Sequence, residues 1–318
     1  RIEDYEECAD YILEKKGGSR SALFVANRIK TVQELYRILK NRVNKETIIY
    51  ALTTRICPAQ RKERIREMLK SLKDNDVKSV ICISTPLIEA GVDVSFDVGI
   101  RSLTGLSSII QTAGRVNRNG EKGIASCYVI KPEIEQLQNT PEIQIGAIHA
   151  MEMLHGKTTI QIVPEVIKKY FKLYYSDASI EKQFRYPIDK DDIYSMLTLC
   201  EKNLDDYDKI MCEIPPLMLW YKFKKAANYF EVIDQPTVPV VVPYGKALNM
   251  IEQINNENAF MTLSQKMSLI KSLMPYTVNL YQGIIRKGTE ERAIYYNKDF
   301  GIWTLEPEYY SDDIGVDM

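Results

Sequence analysis

The sequence predicts an α/β fold in which a parallel sheet is covered by helices on both faces. Five short runs are almost continuously apolar, which is typical of strands that are buried on both faces. Segments with apolar residues at helical spacing lie between several of these runs, as expected when helices connect parallel strands. The predicted strands are 21–26, 47–52, 79–83, 97–101 and 124–130.

Helices are predicted between these strands, and some have a recognisable beginning or end. The first covers 2–16 and stops at Gly17-Gly18, a common C-terminal break. Thr31 is predicted to cap the helix that follows the first strand. Two further helices are predicted at about 58–72 and 111–118.

Beyond residue 132 the composition changes twice. Pro132 and Thr140-Pro141 mark a boundary, after which helical periodicity dominates. From residue 229 short strands return, and two prolines in the run 237–244 predict that this strand lies at a sheet edge. We therefore predict three parts: 1–132, a helical linker over 133–228, and a small α+β domain over 229–318.

Composition restricts the class of function. The 318 residues include 42 basic and 43 acidic side chains, so a surface that binds nucleic acid has to be a local groove. The six cysteines form no C-x-x-C pair, and we expect buried thiols in a cytoplasmic protein. No signal peptide or apolar run of about 18 residues is present, so we expect no export and no membrane insertion. Because the chain opens on Arg1, we expect an excised fragment.

The strongest functional signal is a pair of polar segments. Strand 79–83 leads into a loop that carries Thr85, Gly91 and Asp93, and a later stretch carries Gln111, Arg115 and Arg118 at offsets of four and seven. This spacing predicts one helix face, with both arginines at the open edge of the sheet. A permanently charged guanidinium suits a phosphoryl-transfer transition state, where it contributes roughly 10³ to 10⁵ in rate. The alternative is a solvated helix face.

These residues resemble two signature motifs of superfamily 2 helicases. Thr85, Gly91 and Asp93 match the fifth motif, and Gln111, Gly114, Arg115 and Arg118 match the sixth. The resemblance implies a RecA-like domain in which Thr85 contacts nucleic acid and the two arginines are catalytic. It also implies that Gly91, Asp93, Gln111 and Gly114 bind nucleotide. For Gly91 a helix stop is the alternative, and Asp93 contacts the ribose or braces the arginines.

Further nucleic-acid candidates follow the first two strands. Asn27 and Thr31 match the fourth helicase motif, where a helix N-terminus can offer N–H groups to phosphate, against the alternative of a plain loop and cap. Thr54, Arg55 and Arg61 resemble a Ser-Arg-x-x-x-x-x-Arg stretch in CRISPR-associated helicase-nucleases of type I systems. We select only Thr54 and Arg55, because Arg61 also fits a salt-paired exposed helix.

Two kinds of catalytic motif are missing from the sequence. It has no Gly-x-x-x-x-Gly-Lys-Ser/Thr loop and no Asp-Glu-x-His box to bind phosphates and Mg²⁺. With two histidines it also lacks a cluster for a two-metal nuclease site. We therefore expect that this chain alone does not hydrolyse ATP, and that ATP is shared with another domain while Mg²⁺ and nuclease metals bind elsewhere.

The tail narrows the resemblance. Segments 230–244, 273–279 and 301–310 resemble the C-terminal domain of the type I CRISPR-associated helicase-nucleases. This implies a complete enzyme with an HD nuclease and a first RecA-like domain before the part seen here, recruited by the Cascade complex. It would unwind and degrade single-stranded DNA in the 3′-to-5′ direction with ATP and divalent metal. The alternatives are half of another superfamily 2 DNA or RNA helicase, or a non-catalytic docking module.

Overall fold

A computed structural model describes residues 2–120, 123–137, 140–156, 159, 161–188, 191–198, 221–230, 237–255 and 261–318. By its contacts the chain divides into two compact units. One unit combines Arg1–Thr140 with Pro236–Met318, and the other is Pro141–Gln235. The predicted division into three parts stays a prediction, and each unit is described here by itself.

The first unit begins with a five-stranded sheet in which all strands are parallel, in the order β2-β3-β1-β4-β5. The predicted α/β class is confirmed. The elements are α1 (Tyr5–Lys16), β1 (Ser21–Val25), α2 (Ile29–Arg42), β2 (Thr47–Leu52), α3 (Pro58–Lys73), β3 (Ser79–Ser84), β4 (Val98–Ser102), α4 (Leu106–Ala113) and β5 (Ser126–Ile130).

Both faces of this sheet are buried, which explains the apolar runs. Phe24 and Ile81 pack against α1 and α2 on one face, and Leu23 and Cys82 pack against α3 and the loop after β3 on the other. The prediction that Thr31 caps α2 is wrong, because the helix begins at Ile29 and its N-cap is Arg28.

The second unit is mainly helical in its described part. Its α5 and α6 pack together, and Tyr170 of α6 is buried. Its elements are α5 (Pro141–Leu154), α6 (Pro164–Tyr175), α7 (Ala178–Phe184), β6 (Pro187–Ile188), β7 (Asp191–Asp192), α8 (Ile193–Leu197) and α9 (Phe223–Tyr229). The strand predicted at 229–234 lies mostly outside the described residues.

The last part of the chain adds a mixed four-stranded sheet to the first unit, in the order β10-β11-β8-β9. The elements are β8 (Thr237–Val241), α10 (Ala247–Asn255), α11 (Leu263–Leu273), β9 (Thr277–Tyr281), α12 (Gln282–Glu290), β10 (Ile294–Asn297), β11 (Ile302–Leu305), β12 (Tyr310–Ser311) and β13 (Gly315–Val316).

The prediction that the proline-containing strand lies at an edge is wrong. β8 is an inner strand, flanked by β9 and β11. Pro239 is tolerated because β11 pairs with β8 only from Val240 onward, beyond the proline. Cys57, which follows β2, is buried in the same hydrophobic cluster as Val240 and Leu280. The two sheets of this unit are therefore joined by shared core residues.

Candidate functional site

Three loops that carry predicted nucleic-acid residues meet at the carboxyl edge of the parallel sheet. β2, β3 and β1 are neighbours, so the residues that follow them are brought together. The backbone N–H of Thr85 donates to Leu52 O at 3.1 Å, and that of Ala26 donates to Ser84 O at 2.8 Å. Residues Asn27, Thr54 and Thr85 thus belong to one edge, as parallel strands require.

The accessibility of these candidates differs. Thr54 is exposed, whereas Thr85 is 8% exposed and Thr31 is fully buried within α2. Thr54 can therefore meet a ligand directly, while the Thr31 hydroxyl is not offered to solvent in this conformation.

Arg55 has an unusual environment. Burial lowers the pKa of its guanidinium, and the nearby Tyr281 opposes this shift. Throughout the part of the chain that the structure describes, no side chain or carbonyl forms a hydrogen bond or ion pair with this guanidinium. Arg61 on α3 likewise has a pKa that burial lowers. A half-buried cation without a counter-charge is suited to accept an anionic group.

Asn27 is already engaged inside the protein. Its amide Nδ2 donates to Leu103 O at 2.9 Å, and its Oδ1 accepts from Arg101 Nη1 at 2.8 Å. Its backbone N–H and that of Arg28 donate to Glu135 Oε1 at 3.0 and 3.2 Å. The N–H groups that were expected to be offered to phosphate are therefore occupied by a buried carboxylate.

The two predicted catalytic arginines do not share a helix face. α4 ends at Ala113, Gly114 is its C-cap, and Asn117 has a φ of 45°. The chain turns there, and Val116 forms a bridge with Phe96. The prediction of a helix over 111–118 is wrong: its polar spacing fits a helix, but the helix ends at Ala113.

Arg115 holds the loop that follows β3. Its Nη1 donates to Val92 O at 2.7 Å and its Nη2 donates to Glu89 O at 2.5 Å. Gly91, between these two carbonyls, has a φ of 75° and open space where a side chain would stand. Glycine is favoured here because of this positive φ. Close packing is not the reason, since no described residue lies where its side chain would be.

Arg118 contacts the same loop, at Asp93, but is more accessible. Its Nε lies 3.0 Å from Asp93 Oδ1, with side chains that are 40% and 88% exposed. Both residues line a cavity of about 460 Å³ together with Ser21 and Asp97. Because those residues adjoin the amino ends of β1 and β4, Arg118 does not stand at the carboxyl edge that was expected. Its contact with Asp93 is the bracing arrangement named as one alternative.

The remaining two nucleotide candidates lie beside this turn. Gln111 is exposed in the last turn of α4, and Gly114 is exposed at the cap that follows. Among the described residues, a Cβ at Gly114 would meet Ile110 O and Gln111 O, at 3.4 and 3.5 Å. Both positions therefore border the arginine turn without being fixed by close packing.

A buried ionic network was missed by the sequence analysis. Arg101 Nε lies 3.0 Å from Glu89 Oε1, and the two side chains are 1% and 5% exposed. Burial lowers the pKa of Arg101, and Glu89 opposes this shift. Ser108 and Thr112 hydroxyls donate to the Glu89 carboxylate at 2.6 to 3.0 Å. The available signal was a charged residue in a strand predicted to be buried, since a buried charge requires a partner.

This network joins the two groups of candidates. Arg115 binds the carbonyl of Glu89, the Glu89 carboxylate pairs with Arg101, and Arg101 donates to Asn27. Contacts therefore run continuously from the arginine turn to the carboxyl edge.

The described residues contain no group of three or more His, Cys, Asp or Glu side chains placed to hold a metal ion. His149 lies 3.3 Å from Asp177 and 3.4 Å from Glu152 in the helical unit. Cys8, Cys57, Cys82 and Cys127 are free thiols, and Cys200 and Cys212 fall outside the described residues. In the part of the chain that the structure covers, no helix combines the length and apolar character needed to span a membrane.

Comparisons with known proteins show what part of this chain is similar to. Residues 18–121 match a family model described as CRISPR-associated nuclease/helicase Cas3, C-terminal. A CRISPR-associated nuclease/helicase Cas3 from Methanothermobacter thermautotrophicus is 32% identical over 104 residues, which is 33% of this chain and 12% of that protein.

Among solved structures, T. fusca Cas3-ADP has a TM-score of 0.62 at 13% identity, covering 99% of this chain and 41% of that chain. A CRISPR RNA-guided surveillance complex, pre-nicking, contains a chain with a TM-score of 0.50 at 15% identity, covering 86% of this chain and 35% of that one. At these identities the structural matches show the fold alone. This chain spans less than half the length of either of these two structural relatives.

Proposed function

We propose that this chain is half of an ATP-dependent motor that acts on single-stranded DNA. The premise is that it corresponds to the C-terminal half of a CRISPR-associated nuclease/helicase of the Cas3 kind. The observation that carries the proposal is the family match over residues 18–121. That segment contains every candidate residue for nucleotide and nucleic acid, and we assign the accessible ones to two surfaces.

The first surface meets the nucleotide. ATP is bound mainly by the first RecA-like domain of the complete protein, and Arg118 reaches its phosphates when the two domains close. Arg118 is suited to this because it is partly exposed and paired only with the exposed Asp93 among the described side chains. Arg115 acts beside it by holding the carbonyls of Glu89 and Val92, which sets the position of Asp93.

Closure then depends on nucleotide. A ligand that gains contacts only in the closed state shifts the population toward that state, and hydrolysis removes this preference. Gln111, Gly114 and Gly91 border the same turn and complete the nucleotide surface.

The second surface grips the DNA backbone. Arg55 supplies an unpaired charge, and Thr54 and Thr85 supply hydroxyl and backbone groups at the same edge. Phosphate contacts of this kind position the strand without reading its sequence, as a motor requires. Asn27 contributes by orienting the edge through Arg101, since its own amide is engaged there.

The complete protein adds the remaining functions. It unwinds and degrades single-stranded DNA in the 3′-to-5′ direction, with Mg²⁺ and nuclease metals bound outside this chain. Its partner is the Cascade complex, and the similarity in fold to a chain of the CRISPR RNA-guided surveillance complex supports that choice. The last part of the chain serves as the lid over the DNA.

Arginine substitutions in the complete protein test this function. We expect Arg118→Ala to lower DNA-stimulated ATP turnover by about 10³ or more, because transition-state charge loses its guanidinium. Arg115→Ala should also abolish turnover, through the loop it holds. The measurement is steady-state phosphate release, with circular dichroism to verify folding and the exposed Arg66→Ala as a matched control. Near-normal turnover in both variants would refute the motor.

One observation favours a second candidate, a non-catalytic docking module. Arg115 bonds to two carbonyls of its own domain, which is what a purely structural arginine does. A docking module predicts that Arg115→Ala destabilises the fold while Arg118→Ala changes nothing in the ATP assay. The same pair of variants therefore separates the two functions.

A further inference from the structure

The chain returns to the DNA-edge loop through a short hairpin near its end. β12 and β13 pair antiparallel, Tyr310 with Val316 and Ser311 with Gly315. We call residues 310–317 the C-terminal clasp. It belongs to the same compact unit as the parallel sheet and packs on α2, α3 and the loop after β2.

The clasp packs directly against the backbone of Arg55. A Cβ at Gly315 would lie 2.2 Å from Arg55 O and 2.8 Å from Ile56 N, and Gly315 has a φ of 77°. Val316 N donates to the same Arg55 carbonyl at 2.9 Å. Only glycine fits here, on both steric and conformational grounds.

A second anchor lies just after Arg55, at Cys57 and Gln60. The Tyr310 hydroxyl accepts from Cys57 N at 3.2 Å and donates to Gln60 Oε1 at 2.5 Å. Gln60 Nε2 in turn donates to Asp312 O at 2.8 Å. The chain is therefore held at the Arg55 carbonyl and just after it by residues far away in sequence.

Side chains of the two neighbouring helices hold the clasp in place. From α2, Gln33 Nε2 donates to Val316 O at 2.9 Å, and Lys40 forms an ion pair with Asp313. From α3, Arg64 donates to the carbonyls of Asp312 and Asp313, and also to Ala51 O at 3.0 Å at the end of β2.

These contacts reach the backbone of Arg55 but leave its guanidinium without a hydrogen bond or ion pair among the described residues. We propose that Gly315 and Tyr310 are positioning residues, which set the Arg55 guanidinium for contact with a nucleic-acid phosphate. The inference rests on the proposed role of Arg55 at the DNA edge. It adds that the precision of this contact comes from the clasp and not from the parallel sheet alone.

The test is a double-mutant cycle on the complete protein, binding a fluorescent oligothymidylate over a series of salt concentrations. We expect Gly315→Ala to weaken binding about tenfold, as loss of a charge-assisted contact does. We also expect the logarithmic salt slope to become shallower by about 0.7, as for one lost phosphate contact. Arg55→Gln should give the same two changes, and adding Gly315→Ala to it should have no further effect.

Gly301→Ala is the matched control. Gly301 also has a positive φ, of 64°, but its nearest contact for a Cβ is the Tyr296 hydroxyl at 3.8 Å. It therefore strains the C-terminal part without touching the Arg55 loop. Its salt slope should equal that of the unmodified protein.

The outcomes separate the two levels of the proposal. If Arg55→Gln leaves affinity and slope unchanged, the role of Arg55 fails and the clasp proposal falls with it. If Arg55→Gln weakens binding but Gly315→Ala behaves like Gly301→Ala, the clasp alone is refuted. Should Gly315→Ala not fold, Tyr310→Phe takes its place. The proposal is supported if Tyr310→Phe makes the salt slope shallower in the unmodified protein but has no effect on the slope when Arg55→Gln is already present. An unchanged slope for Tyr310→Phe alone overturns it.

Discussion

Glu89 and Arg101 are opposite charges buried where the two candidate surfaces meet. A buried ion pair gives little net stability when complete, because desolvation offsets the attraction, but removal of one partner leaves an uncompensated charge. Here the Glu89 carboxylate also accepts from Ser108 and Thr112. The pair therefore fixes geometry, and its disruption has a large cost.

We predict that Glu89→Gln lowers the free energy of unfolding by about 3 to 5 kcal/mol, since it leaves the Arg101 guanidinium buried without a counter-charge. Urea denaturation of the chain measures this. Glu67→Gln, at an exposed position on α3, is the control and should change the free energy little. A loss no greater than that of the control would mean that solvent reaches Arg101.

At this scale the sequence identified residue types better than their contacts. It singled out Arg115 and Arg118, and in the structure both contact the loop that follows β3, at Glu89 and at Asp93. It could not foresee that the Arg115 guanidinium binds carbonyls, because those carbonyls are oriented only once the loop has folded. Glu89 was missed because nothing in its local spacing distinguishes it from a surface glutamate.

The inner strands β1, β3 and β4 of the parallel sheet were predictable because they are buried on both faces and leave apolar runs. α4 was misplaced because polar residues at offsets of four and seven satisfied a helical pattern beyond Gly114, where the helix stops. The clasp was not predicted at all. Strands of two residues have no measurable periodicity, and their position depends on helices more than two hundred positions earlier in the chain.

The clasp should be sensitive to acid. Burial alone would raise the pKa of Asp313, but hydrogen bonds with Lys40 and Tyr36 outweigh burial, so this pKa lies below its ordinary value. A depressed carboxyl pKa stabilises the folded state above the unfolded pKa, and that stabilisation is lost as the pH falls through the folded pKa. We therefore predict that Asp313→Asn lowers the free energy of unfolding near neutral pH. It should also reduce the loss of that free energy as the pH falls.

Urea denaturation near neutral pH, and again below the ordinary carboxyl pKa of about 3.9, measures this difference. The control is Asp312→Asn, because the clasp uses the backbone carbonyl of Asp312 for its contacts. If Asp313→Asn retained the full acid dependence of the unmodified chain, another carboxylate would be responsible.

On the scale of the whole molecule, the first unit should unfold as one body. Cys8 and Cys82 lie in hydrophobic clusters on opposite faces of the parallel sheet, and both are fully buried. Burial raises the pKa of the Cys8 thiol to about 12, and it raises the pKa of Cys82 as well. Both thiols are therefore protonated and inaccessible in the folded state.

We predict that iodoacetamide modifies neither Cys8 nor Cys82 in the native chain, and that both become reactive at the same urea concentration. Peptide mass spectrometry resolves the two sites, and free glutathione serves as the reactivity control. Earlier modification of Cys8 would show that α1 detaches before the sheet unfolds, which contradicts a single cooperative body.

In the sequence, the unit Pro141–Gln235 separates the two segments of the first unit. The clasp therefore leaves the ribosome long after the parallel sheet that it contacts. A nascent chain can thus form its strands early while the Arg55 loop still lacks Gly315 and Tyr310. On the proposed role of that loop, a partly synthesised polypeptide would bind DNA weakly. Full affinity would be reached only when translation has passed the hairpin.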